Sequence, residues 1–379
     1  MHQRQSPDTK SSKDRMDSRS RKDRFRSFAA EEWRQLTAAR ASDRPWQMPF
    51  AASLAIGVPL LFGAGFDQMA LGLIGSLGGL VFIYLPPTPL QHRMVMFMAC
   101  GFGMIGCFAL GILSHLLPAA MMLVLTLSAI LVTMVCRLYR VGPPGSLFFV
   151  MAAALGADSP GTLAQVPTKV GALALGTIAA GLIALVYSVL ILRTRDPKPV
   201  VPSPPPTFDY VIFDAIVIGV SVGSSLLLAQ LFSLGKAYWV AVSCLAVIQG
   251  ATMRTVWDRQ VHRILGTTVG LAFTWGIFAL PLDPWLVALL IMALAFIVET
   301  AVVRHYGFAA IFITPMTILL GDATHFPLGS ATQLIQARFI DTVLGSLIGF
   351  LGGMAIHSSG FRATFGPPIR RLLGGIRPA

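Results

Sequence analysis

Charge is scarce in this chain. Asp, Glu, Lys and Arg make up only 12% of its 379 residues, about half of what a soluble globular domain carries. With 55% hydrophobic residues and a mean hydropathy of +0.71, that shortage excludes an ordinary water-soluble fold. Cysteine is scarce too. Cys100, Cys107, Cys136 and Cys244 all lie in apolar segments, without a CxxC spacing or a neighbouring His pair. They read as small buried residues rather than as metal ligands or a redox pair, and no metal or other cofactor is expected. No Walker loop, no HExxH and no paired carboxylates in a motif context appear, so an enzyme is not expected. Acid is the scarcer sign: 17 Asp and Glu stand against 29 Lys and Arg, a net charge of +12.

What the chain does hold is apolar runs along nearly its whole length. Six of them cover about 47–65, 69–85, 94–113, 118–136, 146–157 and 167–192. Six more cover about 211–232, 238–250, 261–280, 284–303, 306–320 and 334–356. The expected fold class is therefore an all-α membrane protein of about twelve transmembrane helices. Between the sets, Arg193 to Thr207 reads RTRDPKPVVPSPPPT, a stiff proline-rich linker. The expected organisation is a disordered basic arm (1–46), a first membrane unit (47–192), a linker (193–210), a second unit (211–356) and a basic tail (357–379). Within the arm, 26–40 suits a short amphipathic helix on the membrane surface. No cleavable signal peptide is expected near Met1.

The two sets read as repeats. His92-Arg93 matches His262-Arg263. Gly142, Met151, Leu155 and Gly156 match Gly307, Met316, Leu320 and Gly321, and Lys169 with Gly176 matches Arg338 with Gly345. Six spans return a chain to its starting side, so the units should be parallel repeats related by an axis along the membrane normal. Ten Lys and Arg fall in turns of one side (among them Arg93, Arg137, Arg193, Arg254, Arg263 and Arg304). Only Lys169, Lys236 and Arg338 fall on the other. The positive-inside rule then puts both termini in the cytoplasm and accounts for the basic balance without nucleic acid.

The stretch from Tyr238 to Gly270 organises the rest. A short apolar run leads into a charged turn holding Arg254, Asp258, Arg259 and Arg263, and then into a helix in which Arg263, Gly266 and Gly270 share one face. Small residues on a face admit a second helix closely, and a cation there avoids lipid.

This run, YWVAVSCLAVIQGATMRTVWDRQVHRILGTTVG, together with RHYGFAAIFITPMTILLGD and ARFIDTVLGSLIG, resembles the fusaric acid resistance family of inner-membrane proteins. That family includes the aromatic acid exporters and is distantly similar to aluminium-activated malate channels of plants. The resemblance implies a twelve-helix inner-membrane exporter of small organic, often aromatic, acids driven by the proton gradient. A periplasmic adaptor protein is the further partner it implies, beside membrane lipid. Two other readings stand: an organic-anion channel, and a non-transporting scaffold of the cell envelope.

Several ionisable residues in or beside the apolar segments are candidate sites, each with a plainer reading. Arg338 and Asp341 share a helix face with Gly345 and Gly349. They read as an anion contact and its orienting or proton-exchanging partner, or as a structural ion pair. Lys169 would add a second cation on the same central path. Arg93 and Arg263 read as a vestibule attracting carboxylates, or as anchors reaching to headgroups. Glu299 reads as a proton-coupling carboxylate, or as an interfacial acid paired with a cation such as the nearby Arg304. Pro315, with Thr314 and Thr317, would break a helix and line a cavity, with Phe312 and Tyr306 stacking on an aromatic substrate, or would simply kink it. Asp322 reads as a solvated loop residue.

Overall fold

The computed structural model describes residues 34, 37, 38, 41–159, 161–200, 207–322 and 331–374. It divides into two units, Met1–Ser42 and Asp43–Ala379. In the first, Thr37 Oγ1 donates to the carbonyl of Arg34 across 3.4 Å. Most of the arm, including the helix expected over 26–40, lies outside the described residues, as do linker residues 201–206 and the last five residues.

The described residues of the second unit form helices joined by turns and loops, without a strand. The first six helices are α1 (Gln47–Gly65), α2 (Met69–Gly79), α3 (Leu90–His115), α4 (Pro118–Leu138), α5 (Leu147–Ala157) and α6 (Val166–Ile191). After the linker come α7 (Asp214–Leu231), α8 (Tyr238–Ile248), α9 (Met253–Ile277), α10 (Pro284–Ala301), α11 (Tyr306–Asp322) and α12 (Ala331–His357). A last helix, α13 (Ser359–Gly374), occupies the basic tail.

Seven of these helices, α1, α3, α4, α6, α7, α10 and α12, are long and apolar enough to cross a membrane. The other apolar segments are of a different kind. α2, α5 and α8 have 11 residues each, about 17 Å at the α-helical rise. The segment expected over 69–85 is α-helical only to Gly79. It tightens into a 3-10 turn over Leu80–Tyr84 before Pro86 and Pro87 stop it. α9 is long enough, but its first turns are charged. The turn expected around Arg254–Arg263 is in fact the opening of this helix: Thr252 caps it by accepting from Thr255 N–H at 3.1 Å, and Arg254 pairs with Asp258 one turn on at 2.9 Å. α10 starts on the same logic, with Asp283 accepting from Leu286 N–H at 2.8 Å and Pro284 in the first turn.

Packing follows the glycines. α1 lies on α2, and both lie on α6, while α3 lies on α5 and α6. In the second set α7 lies on α8, and both lie on α12, while α9 lies on α11 and α12. The sets meet where α1 lies on α10 and where α4 lies on α7, with α5 against α8. At the closest crossings a side chain has no room: a Cβ on Gly176 would strike the carbonyl of Gly75, and one on Gly345 the carbonyl of Val240.

Candidate substrate site

Four helices of the second set, α8, α9, α11 and α12, enclose a seam of buried polar side chains. Its outer part is built on Arg338, in the second turn of α12 and 6% exposed. The guanidinium carbon stands 3.4 Å from the ring centroid of Trp239, at the start of α8, and Nη2 donates to Thr317 Oγ1 of α11 at 2.7 Å. A planar cation on an indole face and a hydroxyl in its plane fix both the position and the tilt of the fork. Tyr238 backs the indole, ring to ring at 4.8 Å.

One turn further along α12, Asp341 is 1% exposed, and neither carboxylate oxygen has a hydrogen-bond partner among the described residues. The fork of Arg338 is held by Thr317 and Trp239. One turn further along α8, Ser243 accepts a long 3.4 Å contact from Arg263 Nη2 of α9. Arg263 is 6% exposed, and its Nε lacks a partner among the described residues. Trp239 Nε1, Gln260 Oε1 and Ser346 Oγ are buried in the same condition. Trp239 and Ser243 are four residues apart on α8, so the two guanidinium layers lie about 6 Å apart along the helix. Asp341 falls between them in the register of α12.

α11 closes the seam. Pro315 has no N–H to give to the carbonyl of Ile311. That carbonyl faces Gly270 of α9 at the point where a Cβ would crowd it. Thr314 Oγ1 donates to Ala310 O at 3.0 Å and meets Thr267 Oγ1 at 3.5 Å, and Thr317 Oγ1 donates to Thr314 O at 3.0 Å. The broken turn is thus lined with hydroxyls.

Other candidates are placed elsewhere. Phe312 packs with Phe308 at 5.2 Å and Phe273 at 5.8 Å, both widely exposed rings, on the outer flank of α11. Tyr306 stands 6.4 Å from the ring of His262. The aromatic face beside the cation is Trp239, which the sequence marked only as a family element. Lys169 donates to Ser159 Oγ at 2.7 Å, in the loop before α6 of the first set. Arg93 is buried but is turned to the carbonyl of Thr88, bracing the Pro-rich loop before α3. The cation paired with Glu299 is Arg44, at 2.8 Å, rather than Arg304. The side chain of Asp322 lies outside the described residues.

One spacing invites a catalytic reading: Gly219, Ser221 and Gly223 match a nucleophile elbow. Ser221 sits inside α7, however, and donates to Val217 O at 2.8 Å, without the strand-to-helix turn that exposes such a serine. Gln260, Ser243 and Ser346 were not singled out from the sequence. The signal of Ser243 and Ser346 is a polar residue on the same face as a glycine within an apolar run, whereas Gln260, in a charged stretch, carries none.

Comparison with known proteins falls on this same region. Residues 224–352 match the family model described as fusaric acid resistance protein-like. The uncharacterized membrane protein YvaC of Bacillus subtilis (strain 168) is 29% identical over 146 residues, 38% of this chain. The matched stretch spans 23% of that relative's length. No solved structure matches the chain. Every residue of the seam lies within 224–352, the stretch of this multi-pass membrane protein that is similar to the fusaric acid resistance protein-like family.

Proposed function

We propose that this protein is a secondary transporter of the bacterial inner membrane that exports small organic acids, aromatic ones among them, with proton coupling. Twelve helices in two parallel repeats, with both termini cytoplasmic, are the frame of this reading. Supporting it, each packing pair of the first set except α3 on α4 has a counterpart six helices on.

The observation that carries the proposal is the seam itself. Two buried guanidiniums and a carboxylate stand in one layered stack in an apolar bundle, and neither carboxylate oxygen has a hydrogen-bond partner among the described residues. Such groups are costly in a membrane and are kept where an ion passes. A carboxylate substrate would take the fork of Arg338 while its ring lies along Trp239. Asp341, one turn away, is placed to exchange the coupled proton.

The test is flux in liposomes against a panel of aromatic carboxylates, with and without a pH gradient. Arg338→Gln should lower uptake about tenfold to a hundredfold, the range of a charge-assisted hydrogen bond, while Arg338→Lys keeps part of it. The double change Arg338→Gln with Asp341→Asn should recover expression without recovering flux. Full transport by the double variant would make the pair architecture. Flux that only dissipates a substrate gradient, indifferent to uncoupler, would make the protein a channel.

A further inference from the structure

Two buried carboxylates take no part in the seam, and each stands at a junction between the two sets of helices. Asp214 opens α7, where that helix meets the end of α4. Its Oδ2 accepts from Arg137 Nη1 at 2.6 Å, and its Oδ1 from Arg362 Nη2 of α13 at 2.7 Å. Arg137, in the last turn of α4, also donates to Tyr210 O at 2.9 Å and lies over the Tyr210 ring at 4.5 Å. Glu299 stands near the end of α10, where that helix meets the entry to α1. Its Oε2 accepts from Arg44 Nη2 at 2.8 Å, and its backbone carbonyl from Arg44 Nη1 at 3.1 Å.

The two junctions correspond. Arg44 and Asp214 are 170 residues apart, the spacing that separates His92-Arg93 from His262-Arg263. Arg137 and Glu299 each sit in the last turns of the fourth helix of their set. Both carboxylate side chains are 6% exposed, and their cations 16–17%. One contact is therefore built twice, with its signs exchanged. In the first the cation is on α4 and the acid on α7; in the second the acid is on α10 and the cation precedes α1. A buried pair that loses one member leaves a charge uncompensated, so each junction resists parting. Arg362 adds a third element to the first junction, tying α13 to the acid that joins the sets.

We propose that the two pairs form a latch on the face where α1, α3, α7 and α9 begin: they hold α7 and α10, which pack on the seam helices α8, α12 and α11, against the first set, so that the seam is closed to that face. This rests on the transporter reading above, since a latch implies a closed and an open state. Arg44, Arg137, Asp214 and Glu299 act as positioning residues and touch no substrate.

The test needs no substrate. In a background with the four native cysteines changed to alanine, Ser346→Cys puts one thiol in the seam. The full chain in lipid nanodiscs is then treated with a maleimide. Asp214→Asn and Glu299→Gln should each raise the labelling rate about tenfold, as a weakened closed state populates the open one. Arg44→Glu combined with Glu299→Arg rebuilds the second pair in reverse and should label within about twofold of the parent. Should either single change fail to fold, the exchanged pair carries the test alone, folding and labelling like the parent. Parent-like labelling in both single variants, or fast labelling in the exchanged pair, overturns the latch. Aromatic carboxylate flux in the same variants separates the two ideas. Labelling that follows the pairs without any flux would keep the latch and remove the substrate assignment, and flux with unresponsive labelling would do the reverse.

Discussion

Where α6 crosses α2, the helices meet through Gly75, Gly78 and Gly176; where α12 crosses α8, they meet through Gly345 and Gly349 against the carbonyls of Val240 and Cys244. The device is the same, and what surrounds it is not. About 165–170 residues before Thr267, Thr314, Thr317, Asp341 and Thr342 stand Phe97, Phe149, Ala152, Ala172 and Leu173. In the first set those places are filled by residues that pack. In the second they are filled by hydroxyls and a carboxylate, the carboxylate without a hydrogen-bond partner among the described residues. At these five places the first set makes the same packing without a polar group. The polar residues of the second are therefore not demanded by the crossing, and burying them costs free energy that an apolar seam avoids. The segment that resembles known membrane proteins is the one that bears this cost.

The sharpest way to break the comparison is at the shared device. Gly176→Leu and Gly345→Leu should both abolish folding, because each new side chain would strike backbone rather than a movable side chain. Overpacking of this kind costs about 1–3 kcal/mol or more. Yield of monodisperse protein after extraction checks it. Wild-type yield for Gly176→Leu alone would mean that the two crossings are not equivalent.

A second, smaller effect tests the difference between the sets. Trp239→Phe keeps an apolar ring at the head of α8 but weakens the cation face and removes the indole N–H. It should lower carboxylate flux about fivefold to tenfold, in line with ~1 kcal/mol for a cation–π contact. Phe312→Leu, on the outer flank of α11, should leave flux within about twofold. If Phe312→Leu proves the more damaging, the aromatic contact lies on the opposite side of α11 from the seam.

Much of this arrangement is legible in the sequence, and the parts that are not share a cause. Glycine spacing marks the faces of α9 and α12 that pack, and Arg338 and Asp341 announce themselves as charges on such a face. Hydrophobic periodicity says which side of a helix is buried, yet it is silent about which helix comes next to it. Thr317 and Trp239, the partners of Arg338, are remote from it in sequence and nothing local connects them. Glu299 fails in the same way: Arg304 is its neighbour along the chain, but Arg44 is its neighbour in space. The opening of α9 was misplaced for another reason. A charged stretch after a glycine reads as a turn, whereas the Thr252 cap and the Arg254–Asp258 pair support it as helix.

The smallest effect has the opposite sign and bears most directly on why the two sets differ. Gln260 is 7% exposed, and its Oε1 is buried without a partner among the described residues, at a place where the first set has Leu90. An unmet acceptor costs about 1–3 kcal/mol, and removing it along with its desolvation is neutral or favourable when the shape is kept. Gln260→Met, close in length and flexible enough to fit, should therefore raise the midpoint of thermal unfolding by a few degrees in detergent. Flux should fall in the same protein, since the seam would lose a polar group on the path between Arg263 and the N-terminal end of α9. A stability gain coupled to a transport loss is what a group kept for function predicts. A Gln260→Met protein that unfolds earlier than the parent would mean that the glutamine is satisfied in the native membrane. The polar seam would then be a structural feature of the second set, and the contrast between the sets would no longer point to transport.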